Sequence, residues 1–187
     1  MNKCSTYTHW SASKQAGYTL VEVMVVVTII ALLALVAVPS IGSSVAKGRT
    51  KAAAEDIFGL VSQAKVEGPI RDLNLSVNSY PDATPWCVGY SATANCDCRN
   101  TTSCVIPVAG TNVTQLISGA EYPGVTISES FPSGTSFNFN RIRGSASQAG
   151  SIQVVSGDWQ LRINVTADGL VRLCNPTNNA FLGYEAC

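Results

Sequence analysis

The feature that most constrains this chain is a long apolar run close to its N-terminus. From Leu20 to Ile41 the sequence reads LVEVMVVVTIIALLALVAVPSI, and its only charged residue is Glu22. As an α-helix rising about 1.5 Å per residue, this run spans about 30 Å, the thickness of a bilayer core. The sequence therefore predicts one membrane-spanning helix, and the lysines that precede it favour a cytoplasmic N-terminus.

The following segment, residues 42–67, predicts that the helix continues with a different character. Apolar residues recur at spacings of three and four, with charged residues between them, which is typical of an amphipathic helix with one buried stripe. Gly68 and Pro69 predict the end of this helix. Pro39 predicts a kink near the junction of the two segments. The stripe residues are Ala53, Ile57, Leu60, Val61 and Ala64.

After Pro69 the pattern changes to short strands. In residues 159–166 apolar side chains alternate with polar ones, which predicts a half-buried strand. Asp168 and Gly169 predict a tight turn into the next strand. The predicted fold class is α+β, with a long N-terminal helix whose second half packs on an antiparallel sheet. The candidate strands are residues 73–79, 86–90, 104–108, 125–128, 136–142, 152–156, 159–166 and 170–174.

Six of the seven cysteines lie between residues 87 and 187, and an even number in an exported domain predicts disulfides. Cys174 and Cys187 form one candidate pair. The other four allow two pairings, Cys87–Cys96 with Cys98–Cys104 or Cys87–Cys98 with Cys96–Cys104, and the sequence does not choose between them. Each bridge typically contributes about 2–4 kcal/mol. Because the spacing lacks the paired C-x2-C form of zinc sites, no metal is expected.

A short motif stands directly before the apolar run. Residues 17–22, Gly-Tyr-Thr-Leu-Val-Glu, closely resemble the type IV prepilin processing site, where a membrane peptidase cuts after the glycine and methylates the new N-terminus. The resemblance implies a leader over residues 1–17, cleavage between Gly17 and Tyr18, and N-methylation of Tyr18. The family usually has phenylalanine at the position of Tyr18, and both side chains are aromatic.

The position of Glu22 within the apolar run also suggests a role on physical grounds. A carboxylate within a membrane helix is energetically unfavourable unless a polar or charged group pairs with it. No basic residue occurs between Lys14 and Lys47, so the helix does not supply one. The amine that cleavage creates at Tyr18 is a suitable partner when it belongs to a neighbouring subunit. The sequence therefore predicts that Glu22 acts in assembly.

Two stretches in the C-terminal half indicate a particular subgroup of this family. Residues 136–154, SFNFNRIRGSASQAGSIQV, followed by residues 161–174, LRINVTADGLVRLC, are similar to the FimT/FimU and H-type (GspH-like) pseudopilin group. The resemblance leaves out the cysteine-rich insert at residues 87–104. It implies the pilin fold in four parts: leader 1–17, transmembrane and assembly helix 18–41, amphipathic helix 42–69 and disulfide-bonded β-rich domain 70–187.

The same resemblance implies a structural role. A minor pilin of this group joins a type IV pilus and supports pilus assembly, and hence adhesion, twitching motility or DNA uptake. The implied partners are other major and minor pilins, the prepilin peptidase and the inner membrane, with an extracellular pilus as the final location. The alternative within the group is the H-type pseudopilin of a type II secretion system, which ends in a periplasmic pseudopilus.

DNA binding is a further alternative, because FimT-like members are associated with DNA capture through a basic C-terminal element. Here Leu170 stands where the first arginine of that element is expected. Without residues 1–17 the chain has 10 basic and 12 acidic residues, a net charge of −2, which gives no general attraction to nucleic acid. DNA is therefore a partner that the sequence does not favour. The candidate contacts are Arg141, Arg143, Arg162 and Arg172.

Catalysis is not predicted. The only histidine, His9, lies in the predicted leader, so the serines of the remaining chain have no histidine to serve as a base. No cofactor is expected either, since no glycine-rich phosphate-binding loop of the usual form is present.

Overall fold

A computed structural model of the chain describes residues 17–132, 134–176, 181 and 183–187, without the side chains of residues 36–41. It contains one helix, α1 (Leu20–Arg71), and a β-rich remainder, which confirms the α+β class. The chain divides into two compact units, residues 1–41 and residues 42–187. The strands are β1 (Leu75–Tyr80), β2 (Cys87–Ser91), β3 (Val105–Val108), β4 (Thr111–Thr114), β5 (Leu116–Ser118), β6 (Thr126–Ser130), β7 (Ser136–Phe139), β8 (Gly150–Ser156), β9 (Trp159–Val165) and β10 (Val171–Cys174).

The first unit holds the start of α1. Over the part of the chain that the structure describes, no helix is both long and apolar enough to span a membrane. The span predicted over residues 20–41 includes residues 36–41, whose side chains lie outside the described part. The same holds for the side chain of Pro39, so the kink stays a prediction. The predicted leader lies outside the described residues up to residue 16.

The second half of α1 belongs to the second unit and buries one stripe there. All five predicted stripe residues are buried, with exposed fractions from 0% at Ile57 to 8% at Leu60. Ala54 and Thr50 widen the stripe, and the Thr50 hydroxyl donates to the Ala46 carbonyl at 3.0 Å. The stripe faces the sheets, and its apolar side chains belong to the same core cluster as theirs. The amphipathic prediction is confirmed.

The helix ends at Arg71, later than Gly68 and Pro69 predicted. Asp72 takes the left-handed conformation, with a φ of 55°. The Leu73 N–H donates to the Gly68 carbonyl at 2.9 Å and the Asp72 N–H to the Pro69 carbonyl at 3.5 Å, which is a Schellman cap. The helix therefore ends two residues beyond the predicted boundary at Pro69, because Asp72 supplies the turn and Pro69 is accommodated in the last helical turn.

Two four-stranded sheets and one hairpin make up the rest of the second unit. The first sheet has the order β5-β2-β1-β7, the second β10-β9-β8-β6, and β3 pairs with β4. All of these strand pairs are antiparallel. Their inward side chains, together with the helix stripe, form the core. Its largest members include Tyr90, Phe137, Phe139, Ile152, Leu161 and Ile163.

Each of the eight predicted strands overlaps a strand of the structure, but β4 and β5 were not predicted. β4 is exposed at all four positions, and β5 has only three residues, so neither shows an alternating pattern. The strand predicted to Ile142 ends at Phe139. Its end is set by Asn140, whose side-chain oxygen accepts the N–H groups of Ile142 at 2.8 Å and Arg143 at 3.2 Å and so turns the chain.

Candidate functional site

The processing motif lies where α1 begins. Gly17, Tyr18 and Thr19 precede the helix, and Leu20 is its first residue. The Thr19 hydroxyl accepts the Glu22 N–H at 3.3 Å, and the Thr19 carbonyl accepts the Val23 N–H at 3.2 Å. Thr19 is therefore the N-cap and Glu22 the third helical residue, the Thr-x-x-Glu arrangement that starts helices. The motif thus also sets the start of the helix, at Leu20 immediately after Thr19.

Glu22 lies in the first turn of the helix, where the positive end of the helix dipole favours a carboxylate. Its side chain is exposed, and it forms no salt bridge with any described residue. Tyr18 is 82% exposed. Both groups that the motif assigns to assembly are therefore accessible to another molecule.

The helix beyond Glu22 is apolar and uncovered. Its large apolar side chains between Leu20 and Leu35 are each between 49% and 75% exposed. Soluble monomers rarely leave contiguous apolar surface of this extent uncovered, and such surface marks contact with lipid or protein. This segment therefore needs a cover that the described residues of the same unit do not provide.

The six cysteines of the second unit all form disulfides, so none is left as a thiolate ligand or nucleophile. Cys174 pairs with Cys187, and the remaining four follow the second of the two pairings that the sequence left open, Cys87–Cys98 with Cys96–Cys104. The Cα–Cα distances of 5.9, 5.0 and 5.1 Å lie in the ordinary disulfide range. In the described part of the chain, no group of three or more potential ligands is placed to hold a metal.

Two tyrosines outside α1 donate hydrogen bonds to carboxylates of neighbouring residues on α1. The Tyr184 hydroxyl, on the disulfide-bonded tail, donates to Glu55 at 2.5 Å, and the Tyr122 hydroxyl donates to Asp56. Burial, reinforced by Glu55, raises the pKa of Tyr184 to about 12. Burial, reinforced by Asp56, also raises the pKa of Tyr122. Both tyrosines thus remain donors at neutral pH. No local sequence pattern indicates these pairs, because their members lie 129 and 66 residues apart.

The four candidate DNA-contact arginines fall into two groups. Arg162 and Arg172 lie on one face of the second sheet, because Arg172 pairs with Asn164, two residues from Arg162. The Arg162 guanidinium donates to Gln153 at 3.1 Å.

Arg141 and Arg143 lie instead in the turn after β7. Arg141 forms a salt bridge with Asp72 at 3.2 Å. Two of the four arginines are thus already engaged within the chain, and the four do not share one element.

Comparison with known proteins agrees with the motif and the fold. The profile of the prokaryotic N-terminal methylation motif matches residues 12–38. No curated protein sequence matches the chain. The crystal structure of the type IV minor pilin FimU of Pseudomonas aeruginosa is similar, with 12% identity, a TM-score of 0.51, and coverage of 73% of this chain and 96% of that one. The minor pseudopilin EpsH of the Vibrio cholerae type 2 secretion system matches with 11% identity, a TM-score of 0.49, and coverage of 70% and 99%.

The FimU match shows the fold of the chain, and the methylation motif shows the class of its N-terminus. The motif covers the helix start with Thr19 as its cap and Glu22 in its first turn. The chain thus has an N-terminal segment that matches the prokaryotic methylation motif and a fold similar to that of the minor pilin FimU.

Proposed function

We propose that this chain is a minor pilin of a type IV pilus, made as a prepilin that is cut after Gly17 and methylated at Tyr18. Residues 18–41 anchor it in the inner membrane before assembly and then pack among the helices of other major and minor pilins. The observation that carries the proposal is the uncovered apolar segment of α1 from Leu20 to Leu35, which begins within the motif and whose only charged residue is Glu22.

The physical argument rests on what can cover this helix. Removing apolar surface from water is worth about 25 cal/mol per Å², so a helix that is apolar all round is strongly drawn to lipid or to other apolar helices. In either environment the Glu22 carboxylate is costly without a partner. The methylated amine of Tyr18 of a neighbouring subunit supplies one, so the ion pair favours one register of assembly.

The direct test is the intact mass of the protein extracted from membranes with and without its prepilin peptidase. We expect the loss of residues 1–17 and the gain of one methyl group only when the peptidase is present. A Gly17→Leu variant should remain full length in both strains. A full-length wild-type chain, or one that begins at Lys47 after ordinary signal cleavage, would contradict the proposal.

A second experiment is needed to decide whether the chain belongs to a type IV pilus or to a secretion system. The alternative is the H-type pseudopilin of a type II secretion system. Deletion of the gene should abolish pili and twitching and leave protein secretion intact if the chain is a minor pilin. Loss of secretion with normal pili would identify the pseudopilin instead.

DNA capture remains the less favoured alternative. Electrostatic binding to DNA needs several cations on one face, and its affinity falls steeply with salt. Arg141 is paired with Asp72, and Arg143 lies on a different element from Arg162 and Arg172, which are the two arginines that share a face. We expect no salt-sensitive DNA binding by the processed chain at low ionic strength. Binding that weakens on Arg172→Gln would establish the alternative.

A further inference from the structure

The cysteine-rich insert, residues 87–104, has no part in the proposed filament contacts. Its centre is the run Cys96-Asp97-Cys98-Arg99, in which two disulfide-bonded cysteines alternate with two charged residues. Cys98 is bonded to Cys87 on β2, and Cys96 is bonded to Cys104 just before β3. The backbone on both sides of Asp97 is therefore covalently tied to the domain, and a loop held in this way loses little entropy when it binds a ligand.

The two charged residues form a fixed pair at the surface. Arg99 donates from Nε to Asp97 Oδ1 at 2.7 Å and from Nη2 to Oδ2 at 2.8 Å. The guanidinium lies 4.9 Å from the ring centroid of Tyr80, which itself packs on the disulfide cluster. The side chains of Arg99 and Asp97 remain 58% and 39% exposed. The pair is thus doubly hydrogen-bonded and accessible, and Nη1 is not used by Asp97.

Arg99 lies between two clefts that meet at Ala83. The larger has a volume of about 370 Å³, within the range of small-molecule sites, and the smaller about 170 Å³. Apolar surface in the larger cleft comes from Pro85, Leu116 and the Cys87–Cys98 disulfide. Thr84, Thr101 and Ser118, which carry hydroxyl groups, line the same cleft, and Asp82 and Thr135 line the smaller one.

The residues that line the two clefts favour some classes of ligand over others. Arg99 and Asp82 are the charged residues that line the clefts, and Asp97, outside the lining, already compensates the charge of Arg99, so the clefts disfavour an anion. The fixed donors and acceptors suit a ligand with many hydroxyl groups, and the apolar patches suit its C–H faces. We propose that the Arg99 clefts bind a neutral oligosaccharide.

The test uses the chain as extracted from membranes, with its disulfides intact, in a detergent without a sugar headgroup. It is applied to an array that carries neutral, sialylated and sulfated oligosaccharides. We expect saturable binding to neutral oligosaccharides and at least a tenfold loss on Arg99→Gln. Arg99→Lys should also weaken binding, because an ammonium cannot reproduce the two-pronged contact with Asp97 that fixes the donors. Arg143→Gln, an exposed arginine outside the insert, is the matched control and should bind like the wild type.

Three results would overturn the proposal. They are no neutral oligosaccharide bound above background by the wild type, binding unchanged in Arg99→Gln, and binding confined to charged oligosaccharides. Resistance of the variants to alkylation without reductant shows that the disulfides have formed, so a loss of binding reports on the cleft rather than on misfolding. The outcome is independent of the filament proposal, since peptidase processing is read separately by intact mass.

Discussion

The two halves of α1 share one secondary structure and differ in everything that surrounds it. In the first half, large apolar side chains from Leu20 to Leu35 are 49% to 75% exposed, whereas the stripe of the second half is at most 8% exposed. The second half also has polar side chains on its outer face and two carboxylates held by tyrosines. A stripe can be buried by the chain's own sheets, but a helix that is apolar on all sides needs cover on all sides. The distribution of apolar side chains around the helix thus indicates that the first half, and not the second, must be covered by other molecules.

The largest effect that separates the halves is expected at Glu22. In Glu22→Ala, the amount of subunit in sheared filaments should fall more than tenfold, because the carboxylate no longer pairs with a neighbouring amine. The unfolding midpoint of the second unit should not change. Quantitative immunoblotting of filament and membrane fractions measures the first, and thermal unfolding in detergent the second. Glu121→Gln, an exposed acid of the second unit, is the control. Normal incorporation of Glu22→Ala would remove the assembly role of this residue.

A matched pair of truncations in the core and in the anchor sharpens the comparison. Ile57→Ala, at a fully buried position, should cost about 2–5 kcal/mol of unfolding free energy. Ile30→Ala, at a position 59% exposed, should change it by less than about 0.5 kcal/mol. Denaturant titration of the purified chain in detergent measures both. A large cost at Ile30 would show that the first half already packs against its own chain.

Loss of one tyrosine–carboxylate hydrogen bond is expected to have a smaller effect on the free energy of unfolding. Tyr184→Phe removes the hydroxyl that donates to Glu55 and should cost about 1 kcal/mol. The same substitution at Tyr18, which is 82% exposed, should leave unfolding unchanged and should also be processed, since the family usually has phenylalanine there. Equal unfolding midpoints for Tyr184→Phe and the wild type would show that the tail is held by its disulfide and apolar contacts alone.

The smallest expected effect is a pH dependence confined to the second unit. Burial raises the pKa of Glu129, and nearby Asp82 raises it further, although the Ser79 hydroxyl acts in the opposite direction. Because the folded state holds this proton more tightly, stability should decline as pH rises from the unfolded value, about 4.3, through the raised folded value. Glu129→Gln should flatten that decline in unfolding midpoints measured from pH 4 to 7. An unchanged slope would assign the pH dependence to other groups.

Local sequence signals predicted much of the fold. The stripe from Ala53 to Ala64 and the alternation in residues 159–166 are periodic patterns, and the structure has a buried helix face and a strand at these places. The end of α1 was misplaced because Gly68 and Pro69 were read by residue type, whereas the left-handed conformation of Asp72 decides where the helix stops.

The candidate sites were predictable only where the signal is local. The processing motif is six consecutive residues, and its local structure places Thr19 and Glu22 in one helical turn. The choice between two cysteine pairings depends on how β2 and the loop to β3 meet in space, which no spacing in the sequence encodes. The contact of Arg99 with Tyr80 and the clefts beside it likewise arise only from the folded insert.

The pairing of the insert has a consequence for its resistance to proteases. Cys87–Cys98 and Cys96–Cys104 overlap along the chain, since Cys96 lies inside the first loop and Cys98 inside the second. A single cut anywhere between residues 87 and 104 therefore leaves both fragments joined by at least one bond, and a cut between Cys96 and Cys98 leaves them joined by two. The alternative pairing would lack this property, because a cut between Cys96 and Cys98 would then sever the domain. The insert can thus be cut once by a protease and both fragments stay covalently joined.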